Sequence, residues 1–170
     1  MSILTKIAAI GIMLVVSACT DAGRFDDTGA GGAGAGSGAI VPGSANDPTS
    51  AAYFSQAIGD RVLFLVDQSN LSPDAQRVLD GQAQWLTTNA DYVAVIEGHA
   101  DEQGTREYNV ALGARRANAA REYLISRGVV GTRLKVVSYG KERPIEICSE
   151  EACYAKNRRA VTVLSGGLTS

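Results

Sequence analysis

The chain has 170 residues, a formal net charge of −2, 45% hydrophobic and 20% charged residues. That is the composition of one globular domain with extensions, and no apolar run is long enough for a multi-span membrane protein. A pI near 5.4 excludes the basic excess of a general nucleic-acid binder, and one histidine with three cysteines leaves little for a zinc enzyme.

Lys6 precedes a run from Ile7 to Val16 that is apolar apart from Gly11. A charge followed by so short a run reads as an export signal, not a membrane span. The run closes on Val16, Ser17, Ala18 and Cys19. Small residues before a cysteine resemble the lipobox of bacterial lipoproteins, although Val16 stands where leucine is usual. The resemblance implies cleavage after residue 18 and acylation of Cys19, whose several acyl chains give stable anchoring. An ordinary cleavable signal is the alternative. Thr20 in the second position, with Asp21 one place later, implies the outer membrane.

Residues 19–52 read as a tether. Six glycines stand between positions 29 and 38, and such a stretch buries too little apolar surface to fold. The folded head is expected over 53–170. Residues 61–66 (RVLFLV) predict a buried strand ending in a turn. Ser72, Pro73 and Asp74 predict a helix start, running to about Thr88 with Val78, Leu79, Gln82 and Leu86 on one face. Residues 92–97 predict a second strand. A second helix opens at Thr105 or Glu107 and ends at Arg127 before Gly128. Residues 134–138 predict a third strand, 150–156 a short helix and 159–164 a last strand. This order predicts an α/β sandwich, with the helices packed on one mixed sheet.

The second helix carries the strongest chemical signal. At about 100° per residue, Leu112, Arg116, Ala120, Tyr123 and Leu124 share the core-directed face, whereas Arg115 and Asn118 point to solvent. A charge inside an apolar stripe needs an anionic partner. Asp101 is the candidate, in the loop from Gly98 to Gly104 that leads into the same helix. Two readings stay open. Asp101 and Arg116 form a structural ion pair, or each takes half of a zwitterion, Asp101 an ammonium group and Arg116 a carboxylate. Glycines at 98 and 104 would let the backbone approach such a ligand.

The stretch GHADEQG (98–104), followed by YNVALGARRA (108–117), resembles the peptidoglycan-binding motif of OmpA-like C-terminal domains. Asp101, Gly104, Asn109, Leu112, Arg116 and Ala117 fall in register with it. Ala100 replaces the motif's threonine and Gly113 its serine. Residues 137–144 and 154–161 resemble a lipoprotein branch of the same family, and the likeness covers roughly 60–164. The resemblance implies a head that binds peptidoglycan non-covalently through the diaminopimelate of its peptide stem. By position, Asp101 takes the ammonium and Arg116 the carboxylate, while Asn109, Leu112 and Gly104 shape the groove. Val66 and Asp67 would form a wall, and Arg158 a further wall or a second anionic contact. The expectation is a binding module with no cofactor and no reaction, and no metal site, since His99 is the only imidazole. The resemblance also implies partnership with TolB and the Tol proteins in drawing the outer membrane inward at division.

Cys148 and Cys153 enclose only four residues. Export permits a disulfide, and with Cys19 acylated these two pair without remainder; two reduced thiols are the alternative. His99 lacks a partnered nucleophile and reads as a loop-ordering or groove-lining residue, Trp85 as a packing residue. Arg115, Arg121 and Arg127 read as a solvated face. Two rival functions remain. A glycan-processing enzyme would use Glu97, Asp101 or Glu102 as its carboxylates, although Arg116 would suppress the raised pKa that an acid needs. The other is a lipoprotein of this fold serving only as a protein scaffold.

Overall fold

The computed structural model describes residues 40–166. The expected signal, Cys19 and the tether up to residue 39 lie outside them. A short helix α1 (Ala51–Tyr53) runs into a π-helical turn (Phe54–Gly59) and then strand β1 (Arg61–Leu63). Helix α2 (Pro73–Thr88), strand β2 (Tyr92–His99) and helix α3 (Arg106–Ser126) follow. A 3-10 turn at Gly131–Arg133 leads into β3 (Leu134–Gly140), and helix α4 (Glu151–Asn157) precedes β4 (Arg159–Gly166).

The sheet order is β1-β4-β2-β3. β2 and β3 are parallel, as a helical crossover requires, and β4 runs antiparallel to both β1 and β2. This is the mixed sheet of the expected sandwich. Its core lies on the helical side, where Val62, Ile96, Leu134 and Ala160 meet Leu79 and Leu86 of α2 and Ala117, Ala120 and Leu124 of α3.

Ser72 caps α2 by accepting from the Ala75 amide, with Pro73 in the first turn. Thr105 does the same for α3 through Tyr108. Gln82 is fully buried because both ends of its amide are used: it donates to the Gly59 carbonyl at 2.7 Å and accepts from the Thr162 hydroxyl at 2.7 Å. The pairing removes the cost of a polar group in the core.

Two boundaries differ from the sequence reading. β1 ends at Leu63, not at residue 66. The amide of Phe64 goes to the Arg158 carbonyl, and at Asp67 the backbone turns left-handed with φ 55°. The apolar run continues past the point where the chain leaves the sheet. The head also begins before residue 53. Trp85 lies between Phe54 and Tyr92, each ring centroid 4.9 Å away, and its indole N–H donates to the Pro48 carbonyl at 2.7 Å. The Tyr92 hydroxyl donates to the Thr49 carbonyl at 3.1 Å, and Ser50 is buried. Residues 48–52, expected in the tether, therefore cover part of the aromatic core.

Candidate functional site

Two loops leave the same end of the sheet and face each other over the start of α3. The first, residues 64–71, follows β1. The second, residues 100–105, joins β2 to α3. Between them lies a groove of about 250 Å³ lined by Val66, Asp67, Asp101, Gln103, Gly104, Tyr108, Asn109 and Leu112. Six of the eight residues singled out from the sequence meet here. Arg116 and Arg158 do not line it.

Each wall has a local cause. Gly104 adopts φ 88°, which an L side chain resists, and the loop turns there into the helix. Asn109 is buried and donates to the Gln103 carbonyl at 2.7 Å, closing the loop onto the first turn of α3. Lys141 holds the loop from outside through the carbonyls of Gly104 at 2.7 Å and Glu102 at 3.2 Å. The Tyr108 hydroxyl donates to Asp67 across the groove. Tyr108 and Gln103 were missed as wall residues; Tyr108 lies one turn before Leu112 on α3, and that spacing was the available signal.

Arg116 corrects the expectation of an anionic partner. Its side chain is fully buried, and its three nitrogens donate to backbone carbonyls: Nε to Gln68 at 2.8 Å, Nη1 to His99 at 2.9 Å and Nη2 to Leu65 at 3.1 Å. The guanidinium also lies 5.3 Å from the Phe64 ring centroid. Burial pulls its pKa down to about 10, opposed by the charge of Asp101, so it stays cationic at neutral pH. One side chain thereby joins the post-β1 loop to the end of β2.

The carboxylate of Asp101 belongs instead to Arg158, at 3.1 Å from Oδ2 to Nη1. Arg158 is buried as well, and it pairs with Glu151 of α4. Against the pull of burial, Glu151 and Asp101 raise the pKa of Arg158 above its ordinary value. The other oxygen of Asp101 accepts from the Gln103 amide at 3.3 Å. Asp101 and Asp67 thus present two carboxylates to a groove with Arg116 and Arg158 buried behind it and no cationic side chain in its lining. Such a groove favours a cationic group, and the N-terminal end of the α3 dipole favours an anion beside it.

The other expectations sort by place. Arg115 and Asn118 are exposed, but Arg121 is half-buried and donates to the Leu134 carbonyl at 3.2 Å. Glu102 accepts from Ser149 at 3.1 Å and Tyr154 at 2.8 Å, and Glu97 lies 3.7 Å from the His99 ring. Cys148 and Cys153 form a disulfide with Cα atoms 6.0 Å apart. Among the described residues no three metal-type side chains converge. A larger cavity of about 750 Å³ near Pro42, Asp47, Asn89 and Tyr92 lies at the other end of β2 and holds none of the predicted site residues.

His99 serves the site through its carbonyl, not its ring. The imidazole is buried against Tyr139, centroids 5.6 Å apart, and neither nitrogen finds a hydrogen-bond partner among the described residues. Burial, then the charges of Arg159 and Arg143, lower its pKa to about 4. The unfolded chain therefore binds a proton near pH 6.5 that the folded chain refuses. Stability is full above pH 6.5 and falls as the pH drops toward 4, by on the order of 3 kcal/mol from this group. Urea unfolding across that range should show the loss in wild type, with a shallower slope in His99→Phe. Equal slopes would assign the pH dependence to carboxylates.

The OmpA family profile matches residues 63–158. The peptidoglycan-associated lipoprotein of Rhizobium meliloti is 49% identical over 158 residues, covering 93% of this chain and 86% of that protein. That of Mesorhizobium japonicum is 51% identical over 161 residues, covering 93% and 90%. Among solved structures, the peptidoglycan-associated lipoprotein from Burkholderia pseudomallei superposes with a TM-score of 0.63 at 37% identity, over 71% of this chain and 98% of that one. The C-terminal domain of Helicobacter pylori MotB shares the fold, with a TM-score of 0.59 at 22% identity over 64% and 85%.

Proposed function

The chain belongs to the OmpA family, among the peptidoglycan-associated lipoproteins, and from that premise we propose that its groove grips the peptide stem of peptidoglycan. The protein is a binding module, not an enzyme: an outer-membrane lipoprotein with its head in the periplasm. Cys19 carries the acyl chains, and the residues before the head span the distance to the wall. Binding is non-covalent, so the tie between membrane and wall can be released and remade.

The observation that carries this reading is the groove itself, which gathers Val66, Asp67, Asp101, Gly104, Asn109 and Leu112 from two loops and a helix. The ligand class follows from its charges. Diaminopimelate ends in an ammonium and a carboxylate on one carbon. Asp101 accepts the ammonium, with Asp67 on the opposite wall. The carboxylate lies toward the N-terminal end of α3, and Leu112 and Val66 cover the methylene chain between. Arg116 works from beneath, keeping both walls at their separation, and Arg158 orients Asp101. Membership of the family also supports TolB and the other Tol proteins as partners, through which the outer membrane follows the dividing cell.

Co-sedimentation with purified sacculi tests the reading. Wild type should pellet with the wall. Asp101→Ala should lose at least about tenfold in affinity, the worth of one charge-assisted contact, while keeping its circular dichroism. A wild type that stays in the supernatant would bring the scaffold reading forward.

A further inference from the structure

The groove loop is held on its far side by the segment around α4. The Ser149 hydroxyl and the Tyr154 hydroxyl converge on one oxygen of Glu102, at 3.1 and 2.8 Å. Next to them, Glu151 holds Arg158, and Arg158 holds Asp101. Two adjacent residues of the groove loop, Asp101 and Glu102, thus take their positions from Ser149, Glu151, Tyr154 and Arg158.

That segment is anchored at its far end, where buried Asn157 bonds Ile145 and Glu146 and Lys156 pairs with Glu146, but has little to hold the stretch between. α4 has seven residues, and its N-cap, Glu150, makes no side-chain cap hydrogen bond. A helix so short does not persist without tertiary support. Residues 147–150, just before it, form no helix or strand. The disulfide between Cys148 and Cys153 ties the incoming chain to the first turn of α4. It encloses Ser149 and Glu151, and Tyr154 follows directly. Both cysteines are partly exposed, so a small dithiol can reach them.

We propose that the Cys148–Cys153 disulfide is a positioning element of the groove, setting peptidoglycan affinity through Glu102 and Asp101, and that its reduction weakens binding without unfolding the head. The inference rests on the reading of the groove given above. In the reduction, a dithiol supplies two electrons and two protons, becomes a disulfide itself and leaves Cys148 and Cys153 as thiols. The groove loop then keeps Lys141 but loses its fixed neighbours in this segment, and has to be ordered again on that side when ligand binds.

The test compares the full-length lipoprotein in detergent, oxidised and after treatment with dithiothreitol, for affinity to purified sacculi and for melting temperature. Reduction should weaken affinity about tenfold, the cost of ordering one or two loop side chains on binding, and reoxidation should restore it. The Cys148→Ser/Cys153→Ser double variant should match the reduced protein under all conditions. Glu102→Ala should weaken binding as well, with reduction adding clearly less than it does in wild type, since only the route through Glu151, Arg158 and Asp101 remains. Amide exchange at Gln103 and Gly104 should quicken on reduction while exchange in β2 stays slow. Unchanged affinity on reduction, or losses from reduction and Glu102→Ala that simply add, overturns the inference and leaves the groove's function standing. An oxidised wild type that does not bind overturns both.

Discussion

Arg116→Ala is expected to lose about 3–5 kcal/mol of stability, because it empties a buried site and strips hydrogen bonds from three carbonyls at once. The carbonyl of His99 suffers most, since its bond to Arg116 is buried, whereas those of Leu65 and Gln68 lie nearer to solvent. Besides Arg116, the post-β1 loop is tied to α3 by the exposed bond from Tyr108 to Asp67, so the wall carrying Val66 and Asp67 should move as well. Sacculus binding will then be lost along with the fold, and that loss by itself does not locate a ligand. Arg116→Lys keeps the charge but has no planar fork to reach three carbonyls, and should recover only part of the stability. Urea titrations of the three proteins settle the point. If Arg116→Ala melted like wild type and failed only in binding, the guanidinium would belong to the ligand, as the family motif alone suggests.

Gly98→Ala should be comparably severe for a different reason. A Cβ at Gly98 would overlap the carbonyl of Gly113 and come within 3.1 Å of the Ala117 methyl. The first obstacle is backbone, so β2 and α3 have to separate. Overpacking by one methyl usually costs about 1–3 kcal/mol where side chains can yield, and here the upper end or beyond is expected, a fall in melting temperature of roughly 10 °C. The same crossing accounts for glycine at 113, where the family motif has serine: a Cβ there would overlap the Ser138 hydroxyl and lie 2.9 Å from the Gly98 carbonyl. Gly128→Ala is the control. Its φ of 99° is unfavourable for alanine, but a Cβ would meet nothing within 4 Å, so a loss of about 1 kcal/mol is expected. Equal effects at 98 and 128 would mean that strain, not crowding, governs both.

What could be read from the residues follows from range. α3 was legible because its buried stripe repeats every three or four positions: Leu112, Arg116, Ala120 and Leu124 are all buried, and Arg115 is exposed. The cap at Ser72 and the turn at Gly128 are local chemistry and stand where expected. The partner of Arg116 was not legible, since backbone carbonyls leave no mark in residue identity. Pairing Asp101 with Arg158 joins positions 57 residues apart, on different elements, and Asp101 had a nearer arginine to suggest itself. The end of β1 was hidden because the apolar run outlasts the pairing. Residues 48–50 looked like linker because they join the head through a carbonyl on Trp85, another on Tyr92 and a small buried serine, none of which raises local hydrophobicity.

The central claim is that the groove between the two loops, and no other surface, receives the diaminopimelate end of the stem. Amide chemical-shift mapping of the head with a soluble diaminopimelate-bearing stem peptide tests it most directly. Saturable shifts are expected at Val66, Asp67, residues 101–104, Tyr108, Asn109 and Leu112, all lost in Asp101→Ala. Shifts gathered instead around Asp47, Asn89 and Tyr92, at the larger cavity beyond the start of β2, would contradict it.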